Sequence, residues 1–376
     1  CEQVSRLVAD HRAYCTGARA RTCLSRDLCR VDPGGSGLAV YVHDRACSLR
    51  DSSALGSAGR DAVPAVWRKA ARDMGVLVER YQDACVLVYV VDTHTDRVPC
   101  IETTPSWNGG QNHVIVDVGD PTPNWRPGLV SKAVRAGAHT LGCYYRAGHD
   151  ICIPLQGKKM FPALQPLPSG DRKHFLTFRG SFYLGGPGAL ERRALLALRH
   201  SAAAATAASA AATTAPAPTP AAARRRGGVS IALSCFEKHG EHLLPEYADA
   251  CHRLAREAAA APSFADLMNT TFALLPAGRS TGTYRLAEAL SAGAIPVFLS
   301  RRGAVPPFPE LIDWPSLSLT FLPEEAGEIL ERLRALPPET VDAMQGHARE
   351  AFARFFAGPG YEGIARVVLG VVEGRL

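Results

Sequence analysis

The stretch LLPAGRSTGTYRLAEALSAGAIPVFLS, Leu274 to Ser300, gathers residue types that can hold an anion. An apolar run ends at Leu275. A short turn follows with Gly278, Arg279, Ser280, Thr281 and Gly282, and Arg285 and Glu288 lie on the opening turn of a helical stretch. The two glycines permit backbone conformations that other residues resist, so peptide N–H groups can approach a ligand. Ser280, Thr281 or Thr283 can cap the helix. A helix start presents unpaired N–H donors and partial positive charge, which suit phosphate. Arg279 adds a cation able to grip a phosphate with two hydrogen bonds. Glu288, three residues beyond Arg285, can accept from two adjacent hydroxyls such as a ribose offers. The turn has neither the G-K-[ST] of a Walker loop nor the G-x-G-x-x-G of a dinucleotide fold. An ordinary strand–helix turn with an Arg–Glu surface pair is the other reading these residues allow.

Acids, bases and further cations occur elsewhere. Asp92 closes the apolar run ACVLVYVVD, and Asp96 follows four residues later. Either could serve as a general base. His113, just after Gly109-Gly110, is a rival, set against a histidine bonded to its own loop. Arg179 and Gly180 close the run HFLTFRG. Asp150 with Arg146 reads as a structural salt bridge. Trp314, beside Asp313, could be plain core.

Alternating apolar runs and helical stretches position these residues. Strands are expected at Gly37–Asp44, Ala84–Asp92, Asn112–Val118, His174–Gly180, Val229–Cys235 and Phe272–Leu275, and in IPVFLS. Helices are expected at Ala65–Tyr81, Ala189–Arg199, Pro245–Ala259, Phe264–Asn269, Pro323–Leu336, Glu339–Ala357 and Tyr361–Glu373. ACVLVYVVD is a continuous apolar run, as in a parallel strand buried on both faces. Between the halves lies SAAAATAASAAATTAPAPTPAAARRRGG, Ser201 to Gly228. Its alanines could be helical, but Pro216, Pro218 and Pro220 cannot continue a helix. It reads as a disordered insert or linker, with Arg224–Arg226 a solvated charge run. The expected organisation is therefore an α/β domain over 1–200, a low-complexity linker over 201–228, and a second α/β domain with closing helices over 229–376.

Length and composition agree with this division. The chain has 376 residues, 47% hydrophobic and 21% charged, with a formal charge of +6. That is globular and large enough for two cores. The mild positive charge suits acidic ligands such as nucleotides or uronic acids. No dense basic face joined to a binding motif points to nucleic acid. There are 11 cysteines, with Cys15, Cys23, Cys29 and Cys47 clustered near the start. No C-x-x-C pair or repeated Cys/His spacing suggests zinc, so no metal site is expected. Disulfides in an oxidising lumen are expected instead, with buried thiols as the alternative. The sequon Asn269-Thr270-Thr271 agrees with that compartment. The chain begins at Cys1 and shows no signal peptide or long apolar span, so an anchor upstream of this chain is expected.

At these residues the chain resembles a known family. NTTFALLPAGRSTGTYRLAEALSAGAIPVFLS with PPFPELIDW resembles the signature of the exostosin family, glycosyltransferase family 47. TCLSRDLC, DACVLVYVVDTHTD, WNGGQNHVIVDVGD, YRAGHDICIPL and FLTFRGSFYLGG occur in the family's order and, together, span most of the chain. The amino-terminal half is more similar to the animal exostosins, heparan sulfate polymerases, than to the plant branch. Only their first glycosyltransferase domain is resembled.

The resemblance implies a GT-B fold, two Rossmann-like doubly wound domains facing across a cleft. It implies an inverting hexosyltransferase that needs no catalytic metal and no tightly bound cofactor. The donor would be a UDP-sugar, with glucuronate the best guess, and galactose, xylose and arabinose the alternatives within the family. The acceptor would be a growing glycan in polysaccharide or proteoglycan synthesis. Arg279 and Arg285 would neutralise the leaving diphosphate beside Gly278, Ser280 and Gly282. Glu288 would hold the ribose, and Arg179 with Gly180, matching the F-[KR]-G motif, would add a cation. Asp92 or Asp96 would be the base. The animal enzymes have G-R-R where this chain has Gly278-Arg279-Ser280, which leaves one cation fewer for glucuronate. A homo- or heterodimer with a related glycosyltransferase, a type II membrane anchor, and a Golgi or endoplasmic reticulum lumenal location also follow from the resemblance. A catalytically silent subunit supporting an active paralogue is the competing role.

Overall fold

The computed structural model describes residues 24–29, 38–43, 57–91, 101, 104–119, 132–138, 145–182, 188–211, 228–235, 245–278, 282–358 and 360–376. Along the chain come β1 (Val40–Val42), α1 (Ser57–Asp73), β2 (Val86–Val91), β3 (His113–Asp117), β4 (Val134–Gly137) and β5 (Ile151–Cys152). Then follow β6 (His174–Phe182), α2 (Ala189–Ala211), β7 (Gly228–Cys235), α3 (Pro245–Ala260), α4 (Phe264–Leu267), β8 (Thr270–Pro276) and α5 (Arg285–Ser291). The chain closes with β9 (Ile295–Leu299), β10 (Leu319–Phe321), α6 (Ile329–Ala335), α7 (Pro338–Ala351) and α8 (Glu362–Arg375). Among the described residues the strands form two five-stranded sheets, β1-β2-β3-β4-β5 and β10-β9-β8-β6-β7. Every pairing is parallel. The fold is α/β with two parallel sheets, as the alternating pattern requires.

Two compact units carry these sheets. The first comprises Cys1–Gln156, Val305–Pro309 and Phe355–Leu376; the second comprises Gly157–Ala304 and Glu310–Arg354. This corrects the expected division at 200 and 229. β6 pairs with β7 along eight residues and with β8 on its other side, so it belongs to the second sheet. The alanine-rich tract accordingly falls within the second unit, from the second half of α2 to the start of β7. Its first eleven residues, 201–211, are helical rather than disordered, because α2 runs on to Ala211. Alanine has the highest helix propensity, so a helix begun in a packed segment continues through it. Residues 212–227, with the prolines and the arginine run, lie outside the described residues.

In the first unit β2 is buried at all six positions, which fits its unbroken apolar sequence. The helix expected at Ala65–Tyr81 is displaced toward the amino terminus. It ends at Asp73, and Gly75 with φ +72° turns the chain out of the helix. Val76 and Val78 then bond Val40 of β1 from an extended segment. α1 and α8 are laced by a charge network, in which Lys69 and Arg366 each contact both Asp73 and Glu362. A disulfide joins Cys29 to Cys85 at the start of β2. Asn112, in a left-handed conformation, braces the same segment. It exchanges hydrogen bonds with the Ser25 backbone and donates to Cys85 O.

Asp150, before β5, accepts two hydrogen bonds from the Arg146 guanidinium, at 2.6 and 3.0 Å, and one from the Arg135 N–H at 3.0 Å. Burial alone would push this carboxyl up, but Arg146, with His149 and Arg135 behind it, holds it below the ordinary carboxylate range. His113 opens β3 with its side chain fully buried. Its Nδ1–H donates to Gln111 O at 2.9 Å, while its Nε2 has no hydrogen-bond partner among the described residues. Burial pushes its pKa down to about 4.

In the second unit β8 is the central strand and is buried throughout. Phe175, Leu176, Phe272, Leu274, Val297 and Phe321 form the heart of its core. The strand order reverses at β6: β7, which follows β6, pairs on one side of it, and β8 on the other. β10, β4 and β5 went unread in the sequence. They are two to four residues long, too short to show a period.

Two measurements check these contacts. The Asp150→Ala variant strands the Arg146 guanidinium and should lose about 3–5 kcal/mol of stability in urea unfolding. A loss near zero would show that the pair carries no load. For His113, the unfolded chain binds a proton near pH 6.5 and the native one only near pH 4. The unfolded state therefore holds more protons between these values, and stability falls as the pH drops through that window. The expected loss from pH 7 to pH 5 is about 2 kcal/mol from this group, and it should be missing in His113→Phe. Equal acid sensitivity in the two proteins would overturn the assignment.

Candidate functional site

Open parallel sheets bind ligands outside the carboxyl ends of their strands, where the strand order reverses. In the second sheet that point lies between β6 and β8. The segment following β8 is the turn singled out in the sequence. Arg279, Ser280 and Thr281 lie outside the described residues, whereas Gly278, Gly282, Arg285 and Glu288 are described. α5 begins at Arg285 as expected, and Gly293 with φ +68° follows its end. Thr283 Oγ1 accepts from the Arg285 N–H at 3.3 Å. The residue at the cap position is Tyr284, in a helical conformation and making no side-chain cap.

Arg285 and Glu288 are not a surface pair. Glu288 is only 4% exposed, and its Oε2 stands 3.6 Å from Arg285 Nη1. Its Oε1 accepts from the backbone N–H groups of Lys158 and Lys159, at 3.1 and 3.2 Å. Burial pushes this carboxyl up, opposed by Arg285 and by the two N–H donors. The Arg285 guanidinium lies 3.9 Å from the Phe264 ring centroid and donates from Nη2 to Arg179 O at 2.7 Å. Its Nη1 is buried and has no hydrogen-bond acceptor among the described residues. Burial lowers its pKa; Glu288 opposes this, and the nearby Arg179 adds to it.

Arg179 does not end its strand, because β6 continues three residues further, to Phe182. Its Nη1 donates to Pro262 O at 2.7 Å. Gly180 has no room for a side chain: a Cβ there would lie 2.7 Å from Phe178 Cζ. Arg179, Gly180, Gly278, Arg285 and Glu288 thus share the β6 and β8 side of one sheet.

The structure adds residues that the sequence reading took as plain helix. Gly188, with φ +81°, precedes α2; a Cβ there would fall 2.1 Å from Gly278 O. Arg192, on the first turns of α2, donates to Ser181 O at 2.8 Å and to Ala277 O at 3.2 Å. It therefore ties the end of β6 to the end of β8. Its guanidinium sits 5.0 Å from the Phe178 ring centroid. Beside it Glu191, 1% exposed, pairs with Arg301 after β9 at 2.7 Å. The available signal was the glycine-rich GGPG immediately ahead of a helix whose first turns carry both charges.

In the first unit Asp92 and Asp96 lie outside the described residues. β2 ends at Val91, so the chain reaches Asp92 from the carboxyl end of that strand. His113 stands at the amino end of β3, the wrong end for catalysis in a parallel sheet, and is bonded to its own loop. At the opposite end of β3, Asp117 is fully buried, pairs in register with Val91, and accepts from the Gly119 N–H at 3.1 Å. It is an acid that the sequence reading passed over. Arg146 and Asp150 form the structural bridge described above. Trp314 packs edge-on against Phe298 of β9, with ring centroids 5.4 Å apart, in the role of a core residue.

Comparison with known proteins adds a family. The Exostosin GT47 domain profile matches residues 67–336. Exostosin-1 of Drosophila melanogaster is 26% identical over 300 residues, covering 73% of this chain and 35% of that protein. Exostosin-1c of Danio rerio is 30% identical over 256 residues, covering 62% of this chain and 31% of that protein. The chain thus spans about a third of the length of the curated relatives it matches. A looser likeness is to the crystal structure of AviGT4, a glycosyltransferase involved in avilamycin A biosynthesis. It has 16% identity and a TM-score of 0.42, and covers 89% of this chain and 97% of that one. The profile accounts for well over half of the sequence, so the chain belongs to the exostosin GT47 family of glycosyltransferases.

Proposed function

We propose that this chain transfers a sugar, best read as glucuronate, from a UDP-sugar to a glycan acceptor with inversion and without a catalytic metal. The observation that supports this reading is the Arg285 guanidinium. It is held beside β6, at the start of the helix that follows β8, by Phe264, Arg179 O and Glu288, with one N–H group lacking an acceptor among the described residues. In an inverting transfer an acceptor hydroxyl attacks the anomeric carbon as the bond to the diphosphate oxygen breaks. Negative charge grows on the leaving diphosphate, and fixed cations aimed at it lower the barrier. Arg285, Arg279 and Arg179 supply those cations, beside Ser280 and the backbone of Gly278 and Gly282. Glu288 Oε2 remains the group to accept from ribose hydroxyls. Asp92 and Asp96 are the bases proposed for the hydroxyl proton.

The compartment is proposed as the Golgi or endoplasmic reticulum lumen, with an anchor upstream of this chain. The Cys29–Cys85 disulfide supports an oxidising site. No helix among the described residues is long and apolar enough to cross a membrane. A dimer with a related glycosyltransferase belongs to the same proposal. One observation favours the silent-subunit reading: Arg285 is already engaged on three sides, so a nucleotide must compete with Glu288 for it.

Turnover separates the two. UDP release from a panel of UDP-sugars should identify one donor, and Arg285→Ala should lower kcat about a hundredfold or more. Arg285→Lys, which keeps the charge, controls for misfolding and should retain part of the rate. UDP should also raise the melting temperature of the wild-type chain. No release from any donor, together with no thermal shift, would leave the silent subunit standing.

A further inference from the structure

We propose that Lys158 is a further substrate-contacting cation, delivered to the nucleotide's pyrophosphate by a loop that Glu288 clamps. The inference rests on the nucleotide-sugar reading and names a residue that reading did not contain. The loop in question runs from Gly157 to Phe161, and it is bound to α5 at three points. The backbone N–H groups of Lys158 and Lys159 both donate to Glu288 Oε1. The Phe161 N–H donates to Ser291 Oγ at 3.0 Å. Gly157 lies so close to α5 that a Cβ would stand 3.1 Å from Glu288 Cγ and 3.3 Å from Ala287 Cβ.

With the backbone held there, the two lysines diverge. Lys159 Nζ lies 5.6 Å from the Phe161 ring centroid. Lys158 Nζ lies 4.5 Å from the ring centroid of Tyr284, the residue between the glycine turn and Arg285. Both lysines are exposed. An exposed ammonium over an aromatic face is held by only about 0.5–1 kcal/mol. That is enough to bias its position and too little to stop transfer to a phosphate oxygen, where a charge-assisted hydrogen bond is stronger. Lys158, on the loop that Glu288 holds, then joins Arg285, which faces Glu288, and Arg179, whose charge acts on Arg285, and an arriving diphosphate would offset these cations. The arrangement also makes Glu288 act twice, because the carboxylate that faces Arg285 through Oε2 positions Lys158 through Oε1.

The test uses the full chain and UDP as the probe, with uridine as the uncharged comparison measured by displacement of UDP. Lys158→Ala should raise the Kd for UDP about tenfold, as expected for loss of one hydrogen bond to a charged group, and should leave uridine unchanged. Lys158→Arg should stay within about threefold of wild type. Lys173→Ala removes an exposed lysine that pairs with Asp266 at 2.6 Å; it controls for net charge and should bind UDP as wild type does. An unaltered melting temperature in Lys158→Ala confirms that the loop still docks. Wild-type UDP affinity in Lys158→Ala, with affinity lost in Arg285→Ala, would overturn this inference alone. Equal loss for UDP and uridine would also overturn it, because the phosphates would not be what Lys158 contacts. A wild-type chain that binds no UDP would remove both this inference and the reading beneath it.

Discussion

Glu288 is a carboxylate taken almost wholly out of water. Such a group is costly unless every lone pair it turns inward finds a donor or a cation. Here the donors are the peptides of Lys158 and Lys159, and the cation is Arg285. Each partner is constrained in turn. The loop before β6 must follow α5, Gly157 must lack a side chain, and Arg285 must turn its guanidinium toward Phe264 and the Arg179 carbonyl. One buried charge thus holds together the first residues of the second unit, the first turn of α5, and the middle of β6.

The same economy appears one strand away. Arg192 reaches the carbonyls at the ends of β6 and β8, and Gly188 lets α2 approach within contact of Gly278. Strand ends in a parallel sheet leave carbonyl groups that no neighbouring strand completes. A guanidinium, with five donors in a rigid fork, can collect several of them at once. Arg192 is therefore a cation that joins the ends of β6 and β8 and need not touch a ligand. In the first unit the comparable work falls to Arg146 and Asp150, which link the turn before β5 to β4, and to Asn112, which secures the segment carrying Cys29.

Much of this was present in the order of residue types. Apolar runs located β2, β3, β8 and β9, because strands buried on both faces need apolar residues at nearly every position. The turn after β8 announced itself through two glycines and its cations, and α5 starts where the helical spacing starts. The break after Asp73 was missed because VLV keeps the apolar pattern going, and only the left-handed Gly75 shows the turn. The end of β6 was placed early because Gly180 looks like a terminator. It is instead a site where Phe178 and Arg192 leave no room for a side chain.

By itself, the sequence determined the α/β class, the parallel strands, and the stretch in which anion-binding chemistry is concentrated, since these follow from local spacing and residue type. Tertiary structure alone decided that β6 belongs with β8, that His113 faces away from the carboxyl edge, and that Glu288 grips residues 129 and 130 positions earlier in the chain. Such contacts depend on how distant segments meet in space. A hydrogen bond between a carboxylate and a peptide N–H leaves no trace in residue identity, because every non-proline residue offers the same donor.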